Sequence, residues 1–439
     1  MRAADAPYVK RLAKLFRAPT NASAFRTNFF RVARANLIAI ALPLLITPVL
    51  TRLFSPDAYG ALATFMSIYN VVLAFCTWRF DWTLPNARTN SMAVTLFAAG
   101  AGVLTIVCVA TAVISVLVVC RMVFEGSSAA RLGWPLLLLP VALCGGGLRL
   151  MLTGWFVRDG DLTAVGRATI SQSAATSLLN LAAGLGHLES TGLIGSTSVS
   201  VWVGLGALAH RAWDRLCAGL RRVTWKGLRA GVRTHGRTAS WSALTAMLNA
   251  LGFSAPILVL GHYYSPREVG WYALMYRTLA APTSVLTSAL SQSFWSVAAR
   301  YGREGRLAEL KRLYRLTTLR LSIACVPVAI VCLVAPSVTG LVLGDAWGGA
   351  GEVLRAMLPF FIGSIVFSPT NHLVVLDAQA LQSAADTTRL ILVVASIGLG
   401  TLAGASFVTV VFLASLSSLL AHAVLFVIHV KIHARYERS

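Results

Sequence analysis

Acid is what this sequence lacks most. Only 16 of its 439 residues are Asp or Glu, against 38 Lys or Arg. Charged residues make up 12% of the chain, where 56% is hydrophobic. A soluble domain carries about 25% charged residues, so that class is excluded. Enzyme motifs are missing too: the sequence holds no Walker loop, no HExxH, no GxSxG and no CxxC pair. The seven cysteines lie mostly inside apolar runs and read as small buried hydrophobes, not as disulfides or metal ligands. Glycines in CGGGL, from Cys144 to Leu148, lack the strand-to-helix setting of a phosphate loop and read as close helix packing. Neither a metal nor an organic cofactor is expected. The net charge of +22 is not gathered into an aromatic-interleaved basic domain, so nucleic acid is not an expected partner.

What is present is a succession of long apolar runs. A spanning helix needs about 20 largely apolar residues, and about twelve segments meet that description. They are Asn36–Leu53, Ala61–Trp78, Val94–Val119, Pro135–Phe156, Leu162–Leu185 and Gly192–Trp213, then Trp241–Tyr263, Val269–Ser296, Leu316–Leu343, Val353–Leu376, Thr387–Ala405 and Phe407–Val430. The expected fold is an all-α polytopic membrane protein of two six-helix bundles. Residues 1–35 form a basic N-terminal arm without a signal-peptide core, 36–213 the first bundle, 214–240 a basic linker, 241–430 the second bundle and 431–439 a tail. No strong internal repeat accompanies the two halves, so their equivalence rests on segment count.

Basic residues set the expected orientation. With the N-terminus inside, 31 of the 38 Lys and Arg fall on inner flanks, and only Arg52, Arg121, Arg131 and Arg267 on outer ones. Both termini are therefore expected in the cytoplasm. No outer connection is long enough to carry the catalytic domain of a membrane polymerase, ligase or glycosyltransferase.

Ionisable residues near the bilayer are the candidate working groups, because a charge at its centre costs about 2.5–3.5 kcal/mol even on insertion scales. Arg149 follows the glycine cluster inside the fourth segment, and Arg277 lies about 12 Å in from the outer end of the eighth, at 1.5 Å per residue. Arg52 closes the first segment and Arg355 sits shallowly in the tenth. The acids nearby are few: Asp81, Asp377 and Asp386, the last placed to pair with Arg389 on one helix face. Surplus Arg with little acid suits an anion, since the guanidinium fork matches phosphate. In WRFDWTLP, Arg79 and Asp81 are two apart and expected on nearly opposite sides of a helix that Pro85 ends, whereas Trp78 and Trp82 share a face.

Four stretches carry a family resemblance. LITPVLTRLFSPDAYG (Leu45–Gly60), WRFDWTLP, YALMYRTLAAPTSVLTSALSQSFW (Tyr272–Trp295) and APSVTGLVLGDAWGGAGEVLRAMLPFF (Ala335–Phe361) resemble, in order, signatures of the polysaccharide flippases. These belong to the multidrug/oligosaccharidyl-lipid/polysaccharide exporter superfamily, and the matching positions include Arg277, Pro282, Gln292, Gly344, Trp347, Ala350 and Gly351. The resemblance implies a transporter of the bacterial inner membrane. It would move undecaprenyl-pyrophosphate-linked oligosaccharide to the outer leaflet by alternating access, alongside a polysaccharide polymerase and assembly proteins. Arg52, Arg79, Arg149 and Arg277 would then hold the anionic head group, with Asp81 and Asp377 the candidates for ion coupling or gating. A lipid II flippase and a drug/cation antiporter of the same superfamily are the alternatives within that class. An enzyme that polymerises or ligates lipid-linked glycans is the alternative outside it.

Overall fold

The computed structural model of the protein describes residues 22–87, 89–125, 133–221, 223–303, 306–367 and 379–436. Among the described residues there is no strand. The first half is built of α1 (Ala22–Leu53), α2 (Pro56–Leu73), α3 (Asn90–Glu125), α4 (Leu139–Asp159), α5 (Leu162–Leu185) and α6 (Glu189–Leu220). The second holds α7 (Trp225–Tyr263), α8 (Pro266–Arg303), α9 in two pieces (Leu307–Ala324 and Val326–Leu343), α10 in two pieces (Ala350–Ala356 and Leu358–Val366), α11 (Gln379–Leu402) and α12 (Phe407–Tyr436). Among the described residues eight helices are long and apolar enough to cross a membrane, or nine if the two pieces of α10, bent by 48°, count as one span. The other expected segments, α2, α5 and α8, form helices, α2 stopping at Leu73 short of the expected Trp78, and do not reach the apolarity of a spanning segment by themselves. Their Tyr59, Thr176, Ser177, Asn180 and Arg277 line an internal cavity, which is why lipid does not dictate their composition. The stretch between the halves is largely helical, since α6 ends at Leu220 and α7 begins at Trp225.

Two lobes follow from the packing. In the first, α5 lies between α1 and α6, and α4 packs on α3 and α6; in the second, α12 packs on α10 and α11. Between them α2 lies along α8, with α7 on its flank. The start of α7 docks on the first lobe, where Ala239 joins the core around Phe97, Trp155 and Leu208 and Trp78 Nε1 donates to Ser240 Oγ at 2.9 Å.

The two lobes pack most closely where α2 and α8 begin. Ser55-Pro56 starts α2 and Ser265-Pro266 starts α8, with Ser55 Oγ accepting from Ala58 N at 3.3 Å and Ser265 and Glu268 closing a reciprocal capping box. Five residues into each start stands a glycine, and the two helices cross there backbone on backbone. A Cβ on Gly60 would lie 2.0 Å from Pro266 O, and one on Gly270 would lie 1.9 Å from Pro56 O. The contact is a pseudo-two-fold one, made by the same S-P-x-x-x-G pattern in both lobes. Around it a single core runs through Tyr59, Phe65, Trp347 and Phe361. Trp347 is fully buried, stands edge-on to Tyr59 at 5.2 Å and donates Nε1–H to Thr51 O at 2.9 Å, satisfying a carbonyl that the last turn of α1 leaves open. At the opposite end the described buried side chains form a first-lobe cluster, which Ala239 of α7 joins, and a small second-lobe one of Phe294, Leu310 and Tyr314. The space between the lobes is therefore sealed at the Ser55/Ser265 end.

A candidate substrate pathway along α2

Near the sealed end a cavity of about 160 Å³ lies between α1, α2, α5 and α8, with Arg277 entering it from α8 and Tyr59 from α2. Its polarity begins with two prolines in α1. Pro43 has no N–H to give Ala39 O, and Ser173 Oγ of α5 donates to that carbonyl at 2.6 Å instead. Thr47 bonds Pro43 O, and both residues line the cavity. From α5 come Ser177 and Asn180, 2% and 6% exposed, whose Oγ and Oδ1 have no hydrogen-bond partner. A buried polar atom without a partner costs about 1–3 kcal/mol, and two of them share this cavity with an arginine. Arg277 itself is exposed in this space. Among the described residues no ion pair is formed with it.

The four sequence-predicted arginines fall at successive levels along α2. Arg52 is exposed at the sealed end, close to Gly344. Arg277 stands beside Tyr59. Arg149, half-buried, stands beside Tyr69, whose hydroxyl also occupies the space over Gly146. Arg79 lies beyond the far end of α2. With 18 residues in α2 and about 1.5 Å per residue, Arg52 and Arg79 are separated by roughly 27 Å or more along the axis. They cannot hold one phosphate group together. Arg277 and Arg149 occupy the levels between, about 15 Å apart by the ten-residue spacing of Tyr59 and Tyr69.

At Arg79 the structure departs from the sequence expectation. The helix stops at Leu73 rather than running to Trp78, and the chain turns through Trp78 and Arg79 at φ 48° and 59° before a one-turn helix, Phe80–Thr83. Two consecutive left-handed residues place Arg79 and Asp81 on the same side, and they form an ion pair at 3.8 Å. The two-apart rule for a continuous helix does not apply across such a break. Asp81 also accepts from Thr77 Oγ1 at 2.7 Å, and Arg79 lies over Trp82 at 4.8 Å. Room for the knot comes from α4: a Cβ at Gly154 would stand 2.5 Å from Asp81 O. Non-glycine residues in such conformations cost about 1–3 kcal/mol each and persist only where their surroundings hold them. Asp81→Ala would strand Arg79 at 17% exposure. That variant is expected to lower stability by about 3 kcal/mol or more, read as a fall in the midpoint of thermal unfolding in detergent.

The remaining predicted positions are quickly placed. Asp377 lies outside the described residues. Arg355 pairs with Glu352 on the surface. Asp386 and Arg389 do approach, at 4.0 Å, and line a second cavity, of about 270 Å³, inside the second lobe with His422. Asn180, Ser177, Tyr59 and His422 were not singled out from the sequence. A polar residue in an apolar run was the available signal, but Ser, Thr and Asn are too common in helices to choose among without knowing which face is enclosed.

The fold defines the class: a two-lobed, all-helical, multi-pass membrane protein. By the match of residues 49–351 to the family described as polysaccharide biosynthesis protein, the chain belongs to that family. No curated protein matches it in sequence. Among solved structures it is similar to an inward-facing multidrug resistance MATE transporter of the MOP superfamily, at TM-score 0.65 and 14% identity over 92% of this chain and 99% of that one. An outward-facing structure of a MATE family transporter of that superfamily gives TM-score 0.54 at 14% identity, over 94% and 96%. A MOP-superfamily transporter from Pyrococcus furiosus, described as having a binding pocket of reversed polarity, gives 0.58 at 14%, over 94% and 96%.

Proposed function

We propose that this transporter flips undecaprenyl-pyrophosphate-linked oligosaccharide from the inner to the outer leaflet of the bacterial inner membrane. The observation that carries the reading is the Arg277 cavity: a guanidinium with no carboxylate partner among the described residues, sharing the space with Asn180 Oδ1 and Ser177 Oγ, which have no described hydrogen-bond partner either. A pyrophosphate supplies the anion for Arg277. Sugar hydroxyls supply donors for Asn180 Oδ1 and Ser177 Oγ, while the polyprenyl chain stays in lipid. The excess of Lys and Arg at the end opposite the seal and on the linker supports a cytoplasmic position for that end, from which substrate would enter. Arg79 meets the head group first, Arg149 and Arg277 take it over along α2, and Arg52 waits beyond the seal. Outward movement of two negative charges gains about 4.6 kcal/mol per 100 mV in an inside-negative cell, so the charge sign favours export.

The test is leaflet transfer of lipid-linked oligosaccharide by the purified protein in vesicles. Transfer above that of empty vesicles supports the reading. Its absence, with transport of a cationic drug instead, overturns it. Asn180→Leu separates ligand binding from folding: removing the unpaired carbonyl is expected to leave the thermal midpoint unchanged or raised, while flipping falls about ten-fold. A fall in stability with normal flipping would show that Asn180 serves packing.

A further inference from the structure

The cavity in the second lobe has a different chemistry from the Arg277 site. Arg389 Nη1 lies 3.1 Å from His422 Nε2, and His422 Nδ1 lies 2.7 Å from Ser418 O. Guanidinium can only donate and a carbonyl can only accept. Nε2 therefore carries the lone pair and Nδ1 the hydrogen, which makes His422 neutral in this state. The ring is 5% exposed and held from the other side by α10, where a Cβ at Gly363 would come within 3.1 Å of Nδ1. A second proton has one place to go, Nε2, and there it must displace Arg389.

We propose that His422 is a proton-binding site of the transport cycle, and that protonation at Nε2 breaks the Arg389–His422 contact joining α11 to α12. The groups facing the imidazole account for the response. From α11 come the cation Arg389 and the anion Asp386; α8 brings Tyr272, and α7 and α10 bring the uncharged Asn249 and Ser364. Beside Arg389 stands Tyr276. Among the described lining residues Asp386 is the one carboxylate, three residues from Arg389 on the same helix face. The displaced guanidinium closes further on Asp386, which already stands 4.0 Å away, and the imidazolium keeps Ser418 O and offers its new N–H to the cavity. One proton in thus removes a contact between helices and tightens one within α11, and α12 is freed to move against its neighbour. The inference needs the protein to be a transporter; it does not depend on which lipid is carried.

The experiment measures proton binding without substrate. Full-length protein in detergent is taken from pH 8 to pH 4, and the wild type is expected to bind one proton more per molecule than His422→Gln, whose amide oxygen can still accept from Arg389. Nitrogen NMR of histidine-labelled wild type, which needs no folded variant, should show the His422 signals passing from the neutral Nδ1–H pattern to the doubly protonated one. In vesicles, a pH gradient should drive proton movement at least ten-fold faster through the wild type than through His422→Gln. Equal proton uptake by the two proteins, or a His422 spectrum unchanged across the range, overturns the proposal. Proton binding at His422 in a protein that moves no lipid-linked oligosaccharide would leave this inference standing and remove the substrate assignment instead.

Discussion

Gly270→Ala is expected to cut transport at least ten-fold and to shift the protein toward a state open at the Ser55/Ser265 end. The added Cβ would stand 1.9 Å from Pro56 O, and the neighbouring close atoms, Pro56 C and Gly60 N, are backbone as well. Backbone in the first turn of a capped helix cannot move aside as a side-chain tip does. The lobes must part, or α2 must shift. Overpacking of this kind costs about 1–3 kcal/mol. That cost falls on the sealed state alone and is worth about five-fold to 150-fold in its population. Gly60→Ala should act equally, since its Cβ would meet Pro266 O at 2.0 Å, whereas Gly102→Ala, with nothing within 4 Å, should be silent. Spin labels at the exposed Leu188 and Leu402, one on each lobe at the sealed end, would report the change as a longer distance. Normal transport and an unchanged distance in both glycine variants would mean that the crossing is no gate.

The second large effect belongs to Arg277. A hydrogen bond to a charged group contributes about 1.5–3 kcal/mol, so Arg277→Ala is expected to slow flipping by roughly ten-fold to 150-fold. Stability should hardly change, because Arg277 is exposed in its cavity. Arg277→Lys keeps the charge but loses the planar fork, and should fall between the two. Flipping assays on protein with a normal thermal midpoint decide the matter. Full activity of Arg277→Ala would remove the cationic-cavity mechanism.

Much of the fold was legible because lipid imposes a simple rule on composition. The turn at Gly404, the break between α5 and α6, and the helices themselves apart from the end of the second segment follow from apolar run length. So did the candidate arginines, since a charge in such a run is conspicuous. The knot at Trp78 and Arg79 was not legible: local rules extend a helix through WRFD, and only the approach of α4 at Gly154 and the Asp81–Arg79–Thr77 contacts hold the left-handed turn.

Sequence by itself determined that this chain is a polytopic membrane protein of helices, rich in basic residues and poor in acid, because run length and charge distribution are one-dimensional properties. Tertiary structure decided which residues share a space. It aligned four arginines along α2, set Asn180 and Ser177 beside Arg277, and joined Arg389 to His422 across 33 residues. It also gave meaning to a short repeat, Ser55-Pro56 to Gly60 and Ser265-Pro266 to Gly270, that is inconspicuous until the two helices cross. Two six-residue stretches with one proline each carry little information alone. The physical reason they matter is steric: only where both crossing points lack a Cβ can two backbones come close enough to seal one end of the cleft.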